Sequence, residues 1–277
     1  METVQRTIYG AHLQTCKLLN KPFTVLPNST LNQKFNLFAD EVIGVNEYPK
    51  LGYIAIGNKG TSYELNQNGY VLTTPIPHSP RDASLYNFIP FLVRPIDNDI
   101  SSAERMKYRL RVPITINSVN YVAYYLRVLD LSDIQPTVEI RSVNDGNITV
   151  NSFEPTLSDL NPTAPNLTTV DLNTPNGDYL VSTAKINFVL NQQDITEILD
   201  ACNLIYGDPR FAVINEIALV TGVDRVLQGR FGSTQSSYTD IVVAQVAAFI
   251  SQYHALTVNS TEVAIEIDVG SVEPLLF

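Results

Sequence analysis

The chain is poor in the side chains that do chemistry. Its 277 residues include three His, two Cys, two Met and no Trp, so a multi-ligand metal centre, a thiol relay or an indole-based sugar platform has little to be built from. His12, His78 and His254 lie in unrelated contexts, with no HxH or HExxH spacing to bring two onto one face. Cys16 and Cys202 stand far apart, each inside a helical pattern, which argues for two buried thiols in a reducing compartment and against a disulfide framework. No apolar run reaches the length of a membrane crossing, and METVQRTIYGAH has no charged stretch followed by an apolar one. The expectation is a soluble protein made in the cytoplasm. Gly229, Gly232 and Ser233 in QGRFGSTQ lack the Gly-Lys-Ser/Thr ending of a phosphate cradle, and no GxSxG elbow presents a serine. No enzymatic activity, cofactor, metal or small-molecule substrate is expected.

Basic residues are also scarce, 18 against 28 acidic, for a formal net charge of −10. That balance repels nucleic acid at long range. The charged fraction is only 17%, low for a freely solvated surface, and it fits a chain whose surfaces are partly covered by neighbours.

What the chain does have is strand patterning. Tyr108, Leu110, Val112, Ile114 and Ile116 form an apolar file, and Val119–Val128 follows a tight Asn117-Ser118 link as the second strand of a hairpin. Thr137–Val143 and Ile148–Phe153 flank Asp145-Gly146, a strong hairpin signal. Further strands are expected at Gly52–Gly57, Phe88–Arg94, Leu180–Leu190, Arg210–Val220 and Val263–Val269, and 241–253 leans towards strand on its β-branched content. Two helices stand out. One is N-terminal, with Val4, Ile8, Ala11, Thr15 and Leu18 as its stripe; the other spans Gln193–Ile205, with Ile195, Ile198, Leu199 and Cys202 on one face and Gly207 past its end. Residues 58–84, with Asn68-Gly69 and three prolines, are expected to be a long surface loop.

The fold class is therefore α+β and β-rich: an antiparallel sandwich- or barrel-like module plus a mixed sheet/helix unit. The expected division is 1–85 as helix and extended segments packing on the C-terminal unit, 86–155 as the antiparallel module, 156–178 as linker, and 179–277 as the mixed unit.

Candidate surfaces are few. Arg105, Lys107, Arg109 and Arg111 share a parity, so on a regular strand they project from one side as a positive strip. Such a strip either docks an acidic neighbour or is a solvated face guarding an edge. The stripe residues Val4, Ile8 and Leu18 and the tail Leu275, Leu276 and Phe277 are costly to leave in water and complete the interface candidates. Asp97-Asn98-Asp99 with Glu104 mimics a calcium loop, but it lacks the central Gly and reads as a solvated turn.

The segment Arg210–Asp224 (RFAVINEIALVTGVD), its preceding Tyr206-Gly207-Asp208 turn, and the stretches Ser237–Asp240 and Ala244–Ala247 resemble segments of virion structural proteins of tailed bacteriophages, of the baseplate, neck or tail-assembly type. The resemblance covers about the final third of the chain. It implies a non-enzymatic subunit located in the virion, contacting other virion structural proteins and copies of itself, with no catalytic residues to carry over. The alternative is a host-surface or glycan-binding adhesion module using tyrosine-bearing loops; a hydrolase with dispersed carboxylates comes third.

Overall fold

The computed structural model describes residues 3–65, 67–69, 71–144, 147–164, 177–231, 234–257 and 259–275. In chain order the strands are β1 (Thr3–Arg6), β2 (Lys50–Gly57), β3 (Thr61–Leu65), β4 (Val71–Pro75), β5 (Phe88–Ile89), β6 (Leu92–Pro95), β7 (Tyr108–Ile116), β8 (Val119–Val128), β9 (Thr137–Asn144), β10 (Asn147–Ser152), β11 (Asp178–Asn191), β12 (Val213–Phe231), β13 (Thr234–Ala255) and β14 (Glu262–Pro274). The helices are α1 (Ile8–Leu18), α2 (Leu31–Lys34), α3 (Ser102–Arg105), α4 (Leu157–Leu160) and α5 (Gln192–Tyr206). The β-rich α+β expectation holds. The chain divides into two compact units, Met1–Asp130 with Leu190–Val263, and Leu131–Val189 with Ala264–Phe277.

The first unit is an eight-stranded antiparallel sheet curled into a half-barrel, ordered β1-β13-β12-β2-β8-β6, with β5 added on β2 and β7 on β8. Its spine is the β12–β13 hairpin, so the segment 241–253 is indeed strand. That hairpin is not regular: Val243 is left-handed (φ 54°) and the register slips between Thr221 and Val223. Asn32 fills the break. Its amide donates to the carbonyls of Ile241 (2.9 Å) and Leu37 (3.0 Å), and its own carbonyl accepts the Ala244 N–H at 2.8 Å. Backbone groups that lose ladder partners inside a core need such a substitute.

Leu31, Phe88, Leu110, Leu126, Val246 and Phe249 are among the side chains of the main core against this sheet. Each large apolar group buried there stabilises by roughly 1.5–3 kcal/mol. A second cluster joins Leu13 and Cys16 of α1 to Val242 and Val243. A third sets Ala201 of α5 against Val93 and Ala123. Helix α5 follows its sequence signals. Asn191 accepts the Asp194 N–H (3.0 Å), Asp194 accepts the Asn191 N–H (3.2 Å), and left-handed Gly207 (φ 74°) donates to the Asn203 carbonyl to close the last turn. The β7–β8 hairpin turns on Asn117 and Ser118, both at positive φ, as a primed turn requires.

The second unit is a four-stranded antiparallel sheet ordered β10-β9-β11-β14. Val181, Ile186, Phe188, Ile265 and Ile267 are its buried apolar residues. Gly270 permits the closest strand approach: a Cβ there would lie 1.8 Å from the Ser182 carbonyl oxygen.

The sequence-based boundaries are redrawn. Strands β5 to β8 join the first sheet through β2, whereas β9 and β10 share a sheet with β11 and β14, so residues 86–155 are not one module. Hairpin signals fix a strand's nearest partner and leave open which sheet the hairpin joins. The stretch 58–84 is not a plain loop either, since it holds the β3–β4 hairpin and a buried His78. The expected linker contains α4. The Asp145-Gly146 turn and the Gly232-Ser233 tip lie outside the described residues, though Asn144 and Asn147 pair as that turn demands.

Candidate functional site

The arginine strip is dismantled by one residue. Leu110 takes a left-handed backbone (φ 55°) in mid-strand, which breaks the two-residue period and buries Arg109 beside Tyr108 and Leu110. The carboxylate of Asp240 holds the distortion: it accepts the N–H of Leu110 at 2.6 Å, of Arg111 at 3.3 Å and of Ile241 at 2.8 Å. Burial pushes the Asp240 carboxyl up despite these donors. Arg109, 6% exposed, aims Nε and Nη2 at the two oxygens of Asp224, each at 2.8 Å, and Nη1 at the carbonyls of Met106 and Tyr108. Asp224 also accepts the Tyr53 hydroxyl at 2.7 Å. Burial raises its carboxyl pKa, and the Arg109 and Tyr53 donors outweigh burial, leaving it below the usual carboxylate range.

Arg105 and Arg111 converge on Asp99, at 3.3 and 2.8 Å, and Tyr124 donates to the same carboxylate at 2.8 Å. The turn is solvated at Asp97 and Asn98, as expected, while Asp99 is an internal anchor. Of the four strip residues only Lys107 is exposed, so the strip does not form a docking face.

The helix stripe also needs correction. Thr7 caps α1 by accepting the Gly10 N–H at 3.1 Å, which starts the helix at Ile8 and leaves Val4 in β1. Gly10 sits against Ala247, where a Cβ would come within 2.8 Å of the carbonyl oxygen, and Leu13 and Cys16 are the buried side chains. That docking face turns Ile8 and Leu18 outward, Leu18 to 85% exposure, and Val4 is exposed on β1. Leu275 is half-buried and its N–H donates to the Asp178 carbonyl at 2.9 Å; Leu276 and Phe277 lie outside the described residues.

Sequence reasoning missed a buried polar node. Glu216, fully buried on β12, accepts the backbone N–H groups of Lys59 (3.1 Å), Tyr86 (2.9 Å) and Asn87 (2.9 Å), and lies 3.1 Å from His78 Nε2. His78 is stacked between Tyr86 and Phe249, with centroids 4.2 and 3.8 Å away, and its Nδ1 stands 3.4 Å from Asp82. Asn215 next to Glu216 accepts the Gly60 N–H at 2.7 Å. An Asp-His-Glu series suggests proton relay, yet the His78 and Glu216 side chains are wholly buried, and what Glu216 otherwise binds is backbone. The node is a clamp on residues 58–60 and 78–87. The available signal was Asn215-Glu216 interrupting an apolar strand, because a charge at such a position needs several partners.

Among the described residues, no group of three or more His, Cys, Asp or Glu is arranged to hold a metal ion, and no helix is long and apolar enough to cross a membrane. Two open features stand out among the described residues. The first is a cleft of about 680 Å³ lined by residues of α1, the 46–50 loop, β2 and β12. The second is the edge strand β10, exposed along its whole length, with Ile148 at 63% and Val150 at 54%. It pairs with β9 on one side only, and Asn-Ile-Thr-Val-Asn-Ser carries no charge and no proline.

No curated protein and no solved structure matches the chain. A family model described as a family of unknown function, DUF7208, matches residues 1–277, and the chain belongs to that family.

Proposed function

We propose that this chain is a non-catalytic structural subunit that assembles with neighbouring protein subunits by strand addition at β10, and that its setting is the virion of a tailed phage. One observation carries the assembly reading: β10 is a six-residue, uncharged, fully exposed edge strand with isoleucine and valine in the open. Edges of that kind are normally blunted by lysine, proline or a bulge, because their free N–H and C=O groups pair with whatever strand approaches. A cytoplasmic monomer would keep such an edge at the risk of aggregation; a subunit fits it to a neighbour. The β12–β13 hairpin adds to this picture. Beyond Asp224 and Ile241 its strands pair with each other alone, and a two-stranded ribbon is marginal in water without support. The phage setting rests on the likeness of segments 206–224 and 237–247 to tail, neck and baseplate proteins.

The test is association of the purified chain by sedimentation, with amide exchange read across 147–152. The proposal expects concentration-dependent assembly that protects these amides, and loss of both effects in an Ile148→Lys, Val150→Lys double variant that keeps its fold. Assembly that is unchanged in the double variant would overturn the role of β10. A particle image in which β10 faces solvent would do the same.

A further inference from the structure

The cleft in the first unit is built with a charge imbalance. Its lining includes Lys17 in the last turn of α1, Asn46, Glu47 and Lys50 in and after the loop that enters β2, Tyr53 on β2, and Asp224 on β12. Both carboxylates are already neutralised from behind. Glu47 is held by two nitrogens of Arg225 and by the Gly44 N–H at 3.1 Å, and Asp224 by the paired nitrogens of Arg109 and by the Tyr53 hydroxyl. The two lysines have no such counterpart: among the described residues, neither Lys17 nor Lys50 forms an ion pair or a side-chain hydrogen bond. The cleft thus carries two uncompensated positive charges in a chain of net charge −10.

We infer that this cleft binds a small polyanion, a ligand with two or more carboxylate or phosphate oxygens bridging Lys17 and Lys50. Like-charged ammonium groups sharing a cleft repel each other, and an anion between them removes the repulsion while gaining two charge-assisted hydrogen bonds. Consistent with that frustration, burial and then the neighbouring Lys50 lower the Lys17 pKa from its ordinary value. The volume, about 680 Å³, lies within the usual range for small-ligand sites and exceeds what a single inorganic ion occupies. The Asn46 amide supplies a further polar group for orientation. This inference is independent of the strand-addition proposal, since the cleft and β10 belong to different units.

The experiment titrates the full chain with citrate, with inorganic phosphate and with sodium chloride at matched ionic strength, reading heat of binding and thermal midpoint. The expected result is saturable binding of citrate, the larger polycarboxylate, and a rise in midpoint that chloride does not reproduce. Lys17→Gln and Lys50→Gln should each weaken citrate by about tenfold, the size of one lost charge-assisted contact. Lys107→Gln, an exposed lysine outside the cleft, should leave it unchanged. Stronger saturation by phosphate than by citrate would assign the site to phosphate chemistry and still support the inference. A citrate response that chloride matches, or that survives in the Lys17→Gln, Lys50→Gln double variant, would overturn it. Both variants alter exposed side chains, so their folding can be verified by an unchanged far-ultraviolet spectrum.

Discussion

The two edges of the four-stranded sheet were built to different rules. β14 carries Glu266, Asp268 and Glu273 within the second unit, and Glu266 pairs with Lys185 at 2.7 Å and Asp268 with Arg141 at 3.4 Å. β10, three strands away, carries no charge at all. The same sheet carries charge along one edge and none along the other. The first unit differs again, because its polar groups are turned inward: Glu216, Asp240, Arg109 and Asn32 are buried and spend their hydrogen bonds on backbone or on His78 and Asp224. Stability is concentrated in one unit and availability in the other, and that contrast can be broken experimentally.

The largest effect is expected at the clamp. Glu216→Gln places an amide NH₂ among groups that already donate, and a buried network broken in this way loses about 3–5 kcal/mol. The thermal midpoint should fall by about 10 °C, measured by calorimetry. An unchanged midpoint would remove Glu216 from the framework. Next comes Arg109→Met, which strands Asp224 and two carbonyls. Because Asp224 is partly solvated, a loss of about 2 kcal/mol is expected, read from urea unfolding. Charge reversal at Arg109 should therefore damage the fold itself.

Two pH limbs sharpen the same contrast. In alkali, burial raises the phenols of Tyr86, Tyr108 and Tyr206, and pushes Tyr125 up to about 12. The unfolded chain ionises its phenols near the ordinary 10.0 while the folded one keeps its protons, so stability present below that value is lost as pH rises towards 12. With no Trp in the chain, tyrosinate absorbance follows this without indole background. In acid, the Arg225 side chain and the Gly44 amide hold Glu47 down at about 2. The stability it adds is present above the ordinary carboxylate value of 4.5 and is lost as pH falls towards 2, monitored by circular dichroism. The smallest effect on stability is expected from Ile148→Lys with Val150→Lys, within about 0.5 kcal/mol because both side chains are exposed, although association should be abolished.

Much of the fold could be read locally. Helix α5 announced both its ends, the Asn117-Ser118 turn placed the β7–β8 hairpin, and Val263, Ile265 and Ile267 alternate in β14 as their sequence does. The failures share one physical cause. The inward turn of Arg109 depends on Asp240, 131 residues away, accepting an N–H from Leu110, and no local pattern carries that information. The outward turn of Ile8 and Leu18 depends on Gly10 meeting Ala247. Membership of one sheet or the other likewise depends on β2 and β12, far from the hairpins they recruit. The candidate edge was half legible: its strand was foreseen, and its exposure needed the sheet order.

The Glu216 clamp also constrains how the protein can be made. Residues 59, 86 and 87 leave the ribosome well over a hundred residues before the carboxylate that will hold them, and β1 waits for β13, whereas β2 has β5 and β8 to pair with before β12 arrives. Residues 58–60 and 78–87 therefore cannot be clamped as they emerge, and a nascent chain halted before β12 should remain protease-sensitive across them.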